Sequence, residues 1–269
     1  MNDSALRFGA FAGMLVVMAL AEVVAPRRAL AQSRARRWTV NLALVAISSG
    51  VIRVVAPIGL TGVAVAVQAF GWGLLPAMEL ASTPAAVIAF LALDLLIYLQ
   101  HRVFHAVPLF WRLHQVHHTD QDMDATTGVR FHPLEMLLSF GLKALAVAAL
   151  GAPVGAVLAF EVWLNATSLF NHANWRMPLL VDAVLRWVVV TPDMHRVHHS
   201  VRRAEQDANF GFNLPWWDRL CGTYRPAPVD GHLGMRIGLA HGPESRSLAG
   251  LLQLPFDRAQ PSTSDRSSR

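Results

Sequence analysis

A chain of 269 residues that is 54% hydrophobic and only 15% charged, with mean hydropathy +0.37, is not composed like a soluble domain, where about 25% of residues are charged. It reads as an integral membrane protein. The net charge of +5 rests on arginine, Lys143 being the lone lysine, and arginines beside apolar spans point to membrane topology and not to nucleic acid. The single cysteine, Cys221, excludes an intrachain disulfide framework.

In chain order, the first predicted span is FGAFAGMLVVMALAEVVA, residues 8–25. Without a basic start or a clear cleavage site it is not read as a secretory signal. The loop that follows carries Arg27, Arg28, Arg34, Arg36 and Arg37 and no acid, so it is expected in the cytoplasm with the N-terminus outside. Residues 39–70 are interrupted by Arg53 and Pro57 and suit one crossing plus an interfacial or re-entrant piece. A third span, PAAVIAFLALDLLIYLQHRVFH, starts near Pro84. Segments 134–150 and 154–171 meet at the turn GAP, residues 151–153, and read as a helical hairpin. Counting crossings places His101, His105, His132 and His172 at one face, the cytoplasmic one. Lys143 and Glu161 each lie nine positions from Ala152, about 13 Å from the turn at 1.5 Å per residue. They are expected to pair inside the membrane, the alternative being that each snorkels or faces water. The domain reading is residues 1–83 for the N-terminal spans and basic loop, 84–225 for a catalytic unit, and 226–269 for a polar tail, partly disordered.

Histidines carry the chemistry. His101 and His105 stand at i and i+4 on one helical face. His114, His117 and His118 occupy i, i+3 and i+4, and His195, His198 and His199 repeat that spacing. These eight imidazoles exceed the four ligands of a single zinc site, which suggests two ions with about four or five ligands each. The absence of a Cys pair removes thiolate zinc and iron–sulfur sites, while imidazole suits iron, zinc, copper and nickel. The Glu-x-x-His pattern of soluble di-iron bundles is missing. Neither a pH sensor nor a phosphate-binding patch explains three repeated helical spacings. A metal transporter would place its ligands near the bilayer midplane, and here they fall at span ends. A b-type haem protein would want paired axial histidines within the spans.

HRVFH (101–105), HQVHH (114–118) and HRVHH (195–199) resemble the three histidine boxes of the fatty acid hydroxylase / sterol desaturase superfamily. RFHPLE (130–135), NHANW (171–175) and DANFGFNLPWWDRLCGTY (207–224) are similar to its intermediate and tail motifs, so the resemblance runs from about residue 90 to 225. It implies an all-α membrane protein of about four transmembrane or hairpin helices, under a cytosolic helical cap holding a histidine-rich di-metal site. The implied activity is a non-haem di-iron enzyme using O2 to hydroxylate an unactivated C–H bond of a sterol, fatty acyl or related lipid. Desaturation on the same site is the alternative. The implied ligands are His101, His105, His114, His117, His118, His195, His198 and His199, then His172; His132, before a proline, is a ligand, a supporting group or a helix cap.

Metal-bound imidazoles need partners for their other ring N–H. Asp94, seven residues before His101, is one candidate, with Asp193, Asp207 and Asn209 around the third box; Glu205 also flanks it. Asp120, Asp122 and Asp124 flank the second box, the last two expected as solvated loop charges. Trp38, Trp111, Trp175 and Trp187 read as membrane-interface anchors, and Trp216 and Trp217 as packing for the cap. No fused electron carrier is visible, so a separate ferredoxin- or cytochrome b5-type donor is implied. The arginine bias suggests a bacterial cytoplasmic membrane.

Overall fold

The computed structural model describes residues 3–240 and 247–257; the last of the residues expected to be disordered, 258–269, lie outside them. Among the described residues the fold is all-α, with two isolated β-bridges. Five segments are long and apolar enough to cross a membrane: Asp3–Val24, Arg34–Ala77, Ser82–Ala106, Pro133–Leu150 and Val154–His172. Val16, Val24, Val54 and Leu145 are exposed along them, an apolar surface that water would not tolerate.

Helix α1 spans Asp3–Val24. Ser33 caps α2, Arg34–Val55, which stops at Ala56 because Pro57 follows. The chain continues as α3, Gly59–Ala69, and the short α4, Leu74–Ala77. Helix α5, Ser82–Ala106, has 25 residues and reaches about 37 Å, more than the roughly 30 Å of a hydrocarbon core. Helix α6, Pro108–His118, starts on its proline directly after α5. Helices α7, Pro133–Leu150, and α8, Val154–His172, form the hairpin. Its turn needs Gly151, which is left-handed at φ 64°, and an added Cβ there would lie 2.4 Å from the Trp72 carbonyl. Leu60, Leu93, Val147, Val157 and Phe160 form the core where α3, α5, α7 and α8 meet.

The expected Lys143–Glu161 pair is corrected. Arg7 of α1 takes Glu161 at 2.5 Å and also reaches Thr61. Two antiparallel helices put Lys143 near Glu161, but α1 packs on α8 and brings a guanidinium closer. Glu22, at the other end of α1, accepts from the backbone N–H groups of Ala125 and Asn174, at 2.7 and 2.9 Å. It ties the first span to the histidine-bearing end.

Charges flanking the second box are also corrected, because none is a free loop charge. Arg37 clamps Asp120 with two bonds, 2.8 and 2.7 Å, and Asp124 with a third, 2.5 Å. Asp124 also caps the 3₁₀ helix Ala125–Val129, and Asp122 accepts from the backbone of Ala31 and Gln32. Burial by itself would raise the Asp120 carboxyl, but the charge and hydrogen bonds of Arg37 outweigh it and hold it well below the usual range. Of the tryptophans expected as interface anchors, Trp38 bonds to Asp124 and Trp111 packs against His105, while Trp187 is exposed.

Residues beyond 225 return to the body and are not merely a tail. Leu251, in the helix Leu248–Gln253, is buried with Leu44 and Val116, and Met235 and Ile237 pack on Met123.

Candidate metal centre

Local geometry sets up the site. The last turns of α5 carry His101 and His105; Val107 then extends and Pro108 opens α6, which carries His114, His117 and His118. His172 is the last residue of α8. Thr191 caps the helix Pro192–His198 by accepting from the Met194 N–H, and that short helix presents His195, His198 and, at its C-cap, His199.

These residues gather into two groups. One holds His101, His105, His114, His118 and His198; the other holds His117, His172, His195 and His199, and the donor nitrogens within each group lie within 4.8 Å of one another. All nine are buried. The groups adjoin, with the His118 and His199 rings 4.6 Å apart and those of His195 and His198 5.2 Å apart.

Their chemistry fits metal ions. His172 Nδ1 stands 2.7 Å from the Ser168 carbonyl, so it donates there and its Nε2 is a lone pair. That Nε2 lies 3.0 Å from His117 Nε2 and 3.1 Å from His195 Nε2. Ligands on one ion at 2.0–2.1 Å stand about 2.9–3.4 Å apart. The Nε2 atoms of His101, His105, His114, His118, His198 and His199 are buried without a partner, a cost that a cation removes. Burial pushes His114 down to about 3, and His117, His118, His195, His198 and His199 well below the ordinary range. Neutral imidazole is the form that binds metal.

Backbone carbonyls do most of the orienting. His101 Nδ1 faces the Phe210 carbonyl at 2.7 Å and His198 Nδ1 the Ala208 carbonyl at 2.8 Å. The loop that supplies them is held by Asp218, which accepts from the N–H groups of Phe210 and Gly211, each at 2.8 Å, and from the Thr223 hydroxyl. Asn209, left-handed at φ 52°, donates to the carbonyls of Met194 and Arg225. The tail motif is therefore a brace beneath the first and third boxes.

Of the carboxylates expected beside ligand rings, Asp207 stands 3.5 Å from His105 Nδ1 while pairing with Arg203. Asp94 instead accepts from Trp217 Nε1 at 2.7 Å, because the loop after the third box folds back onto α5. Asp193 binds Arg27 and Arg196, and Glu205 accepts from the Val229 N–H. His132 lies outside both groups. It caps α7 by accepting from the Leu134 N–H, and its Nε2 faces the Leu252 carbonyl.

Glu135 was not foreseen: its Oε1 lies 2.7 Å from His114 Nδ1. The signal available was an acid one turn after His132 in RFHPLE, on the face turned to the boxes. Gly128 matters through close approach, since a Cβ there would stand 2.3 Å from the Ser168 carbonyl and 3.1 Å from His172 Nδ1. Gly128→Ala is expected to destabilise by roughly 1–3 kcal/mol and to loosen the His172 orientation. A thermal melt alongside metal content checks both.

A cavity of about 490 Å³ opens beside the first group, between α1, α2, α5, α7 and α8, touching His101, His114, Phe131, Glu135 and Phe212.

Comparison with known proteins agrees with this geometry. Residues 86–223 match the family described as fatty acid hydroxylase. The ornithine lipid hydroxylase OlsE of Rhizobium tropici is 33% identical over 168 residues, covering 60% of this chain and 47% of that protein. Alkylglycerol monooxygenase of Xenopus tropicalis is 29% identical over 194 residues, 70% of this chain and 41% of that protein. The very-long-chain aldehyde decarbonylase GL1-1 of Oryza sativa subsp. indica is 31% identical over 147 residues, 52% of this chain and 23% of that protein. The chain thus spans less than half the length of these relatives. No solved structure matches it. With its family match over half of the chain and its histidines gathered in two buried groups, the chain belongs to the fatty acid hydroxylase family.

Proposed function

We propose that this chain is a membrane-embedded di-iron oxygenase that uses O2 to hydroxylate a C–H bond of a lipid. The observation that carries the reading is the convergence of nine buried imidazoles, in groups of five and four, beside a largely apolar cavity between membrane helices. Two iron ions bound there would supply the O2 activation and C–H oxidation that no side chain can perform. The two groups would hold them: His101, His105, His114, His118 and His198 for one ion, His117, His172, His195 and His199 for the other.

The remaining residues position and shield. Carbonyls of Ser168, Ala208 and Phe210 and the Glu135 carboxylate fix ring orientation, leaving each Nε2 free to bind. Phe131 stacks on His117 with ring centroids 4.4 Å apart, and Phe210 and Phe212 flank His101, excluding water. The cavity admits a hydrocarbon chain from the bilayer.

The cytoplasmic orientation is supported by the basic loop. Arg27 binds Asp193 and Arg28 binds the carbonyls of His232 and Met235, so this arginine-rich segment shares a face with the histidines. Such segments stay inside. A separate ferredoxin- or cytochrome b5-type donor would dock on that basic face.

Metal analysis of the purified protein tests the class. About two irons per chain are expected for a two-ion centre, falling in His117→Ala and His198→Ala, which each remove one ligand from a different group. Single turnover with reductant, O2 and candidate lipids then reads the reaction: a mass gain of one oxygen marks hydroxylation, and loss of two hydrogens marks desaturation. Iron-free protein, or an iron-loaded protein that oxidises no lipid, would count against the proposal.

A further inference from the structure

The cavity beside the histidines has a second polar end, which the oxygenase chemistry does not use. Glu135, Ser139 and Lys143 line it at i, i+4 and i+8, one face of α7. Glu135 touches His114, so Lys143 stands two turns away, about 12 Å along the axis. Arg7 of α1 lines the same cavity. Glu161 and Asp3, the carboxylates that interact with this cluster, are not part of the lining. Glu161 is bonded directly by Arg7, and Lys143 feels Glu161 only electrostatically, with no hydrogen bond or close salt bridge of its own among the described residues. The walls between the two ends are largely apolar, with Phe11, Ile97, Phe104 and Leu164 among them.

Building on the oxygenase reading, we propose that Lys143, in the cavity that Arg7 also lines, forms an anion-binding subsite. It holds the charged head of a single-chain amphiphile and so sets which carbon reaches the metal centre. An ammonium within membrane helices is costly without a partner, and a carboxylate or phosphate head supplies charge-assisted hydrogen bonds. Size agrees: at about 30 Å³ per water-sized group, 490 Å³ takes roughly sixteen such groups, one alkyl chain with its head and not a two-chain lipid. Two helix turns between Lys143 and the Glu135–His114 contact leave several carbons of an extended chain between the head and the metal centre.

The test compares the wild-type protein, Lys143→Met and Lys143→Arg in nanodiscs for equilibrium binding of radiolabelled palmitate, hexadecyl phosphate and hexadecanol. Lys143→Met should weaken the anionic amphiphile that the wild type prefers by on the order of tenfold or more. Lys143→Arg should retain it, and hexadecanol should bind all three alike, showing that the variants are folded. If Lys143→Met loses hexadecanol as well, Lys143→Gln takes its place. Equal palmitate and hexadecyl phosphate binding by wild type and Lys143→Met, or a wild-type preference for hexadecanol, overturns the subsite. Iron content of the same samples decides the oxygenase reading separately: iron-loaded protein whose anion affinity ignores Lys143 defeats the subsite alone.

Discussion

Arg37→Met is expected to destabilise the protein by about 3–5 kcal/mol at neutral pH, the cost of leaving buried charge unpaired. Arg37 is 4% exposed, Asp120 3% and Asp124 0%, and the guanidinium is the cation bonded to both carboxylates. Methionine keeps the stem and removes every donor. In this size range that loss lowers the melting temperature by roughly 6 °C or more, readable by thermal unfolding in detergent.

The pH dependence has a definite sign. Asp120 is held below its unfolded value, so its contribution is full above about pH 3.9 and is lost as the pH falls further toward the folded value. The gap between wild type and Arg37→Met should therefore narrow as the pH falls, first as the stranded carboxylates of the variant take up protons and then, below about pH 4, as Asp120 of the wild type does. A gap that stays open in acid would mean that packing, not charge, is what Arg37 supplies. Adding Asp120→Asn to Arg37→Met should recover part of the loss, since it removes one of the stranded carboxylates.

For Glu135→Gln, metal affinity is expected to fall by roughly 10- to 100-fold, the usual effect of removing an outer partner of a ligand histidine. Glu135 Oε1 accepts from His114 Nδ1–H, which keeps the His114 Nε2 lone pair aimed into the group of five. Glutamine preserves size, but its amide end can turn an N–H toward the ring as readily as its oxygen, so it no longer fixes which His114 nitrogen faces the group of five. Iron retention during titration with a chelator measures the effect. Loss confined to about one ion of two, the one that His101, His105, His114, His118 and His198 would hold, is the signature of an orienting role. Equal loss of both ions would point to general collapse of the cap.

Local rules make much of this protein legible in its sequence. Apolar length marks a span because a bilayer demands about twenty residues of helix, and GAP marks the hairpin turn. The box spacings put His101 with His105, and His114 with His118, on common faces, because an α-helix repeats every 3.6 residues. The same periodicity cannot say how a box divides. His114 and His118 join one group and His117 the other, while His198 leaves His195 and His199; that partition depends on which rings approach from α5, α8 and the third-box helix.

Charges were the least legible part. Asp94 shares a helical stripe with His101 but bonds Trp217, 123 positions away in the chain. Arg37 reads in sequence as one of several topogenic arginines, and in the fold it closes on Asp120 and Asp124. Glu161 has two cations within reach, and Arg7, 154 positions away, makes the bond. What the amino-acid order determined by itself was the membrane class, the helices and the face each histidine takes, because these depend on neighbours within a turn or two. Tertiary structure alone decided which histidines share an ion-sized space, which carbonyls orient them and which arginine meets which carboxylate. Those contacts join residues from helices whose relative rotation no local pattern encodes.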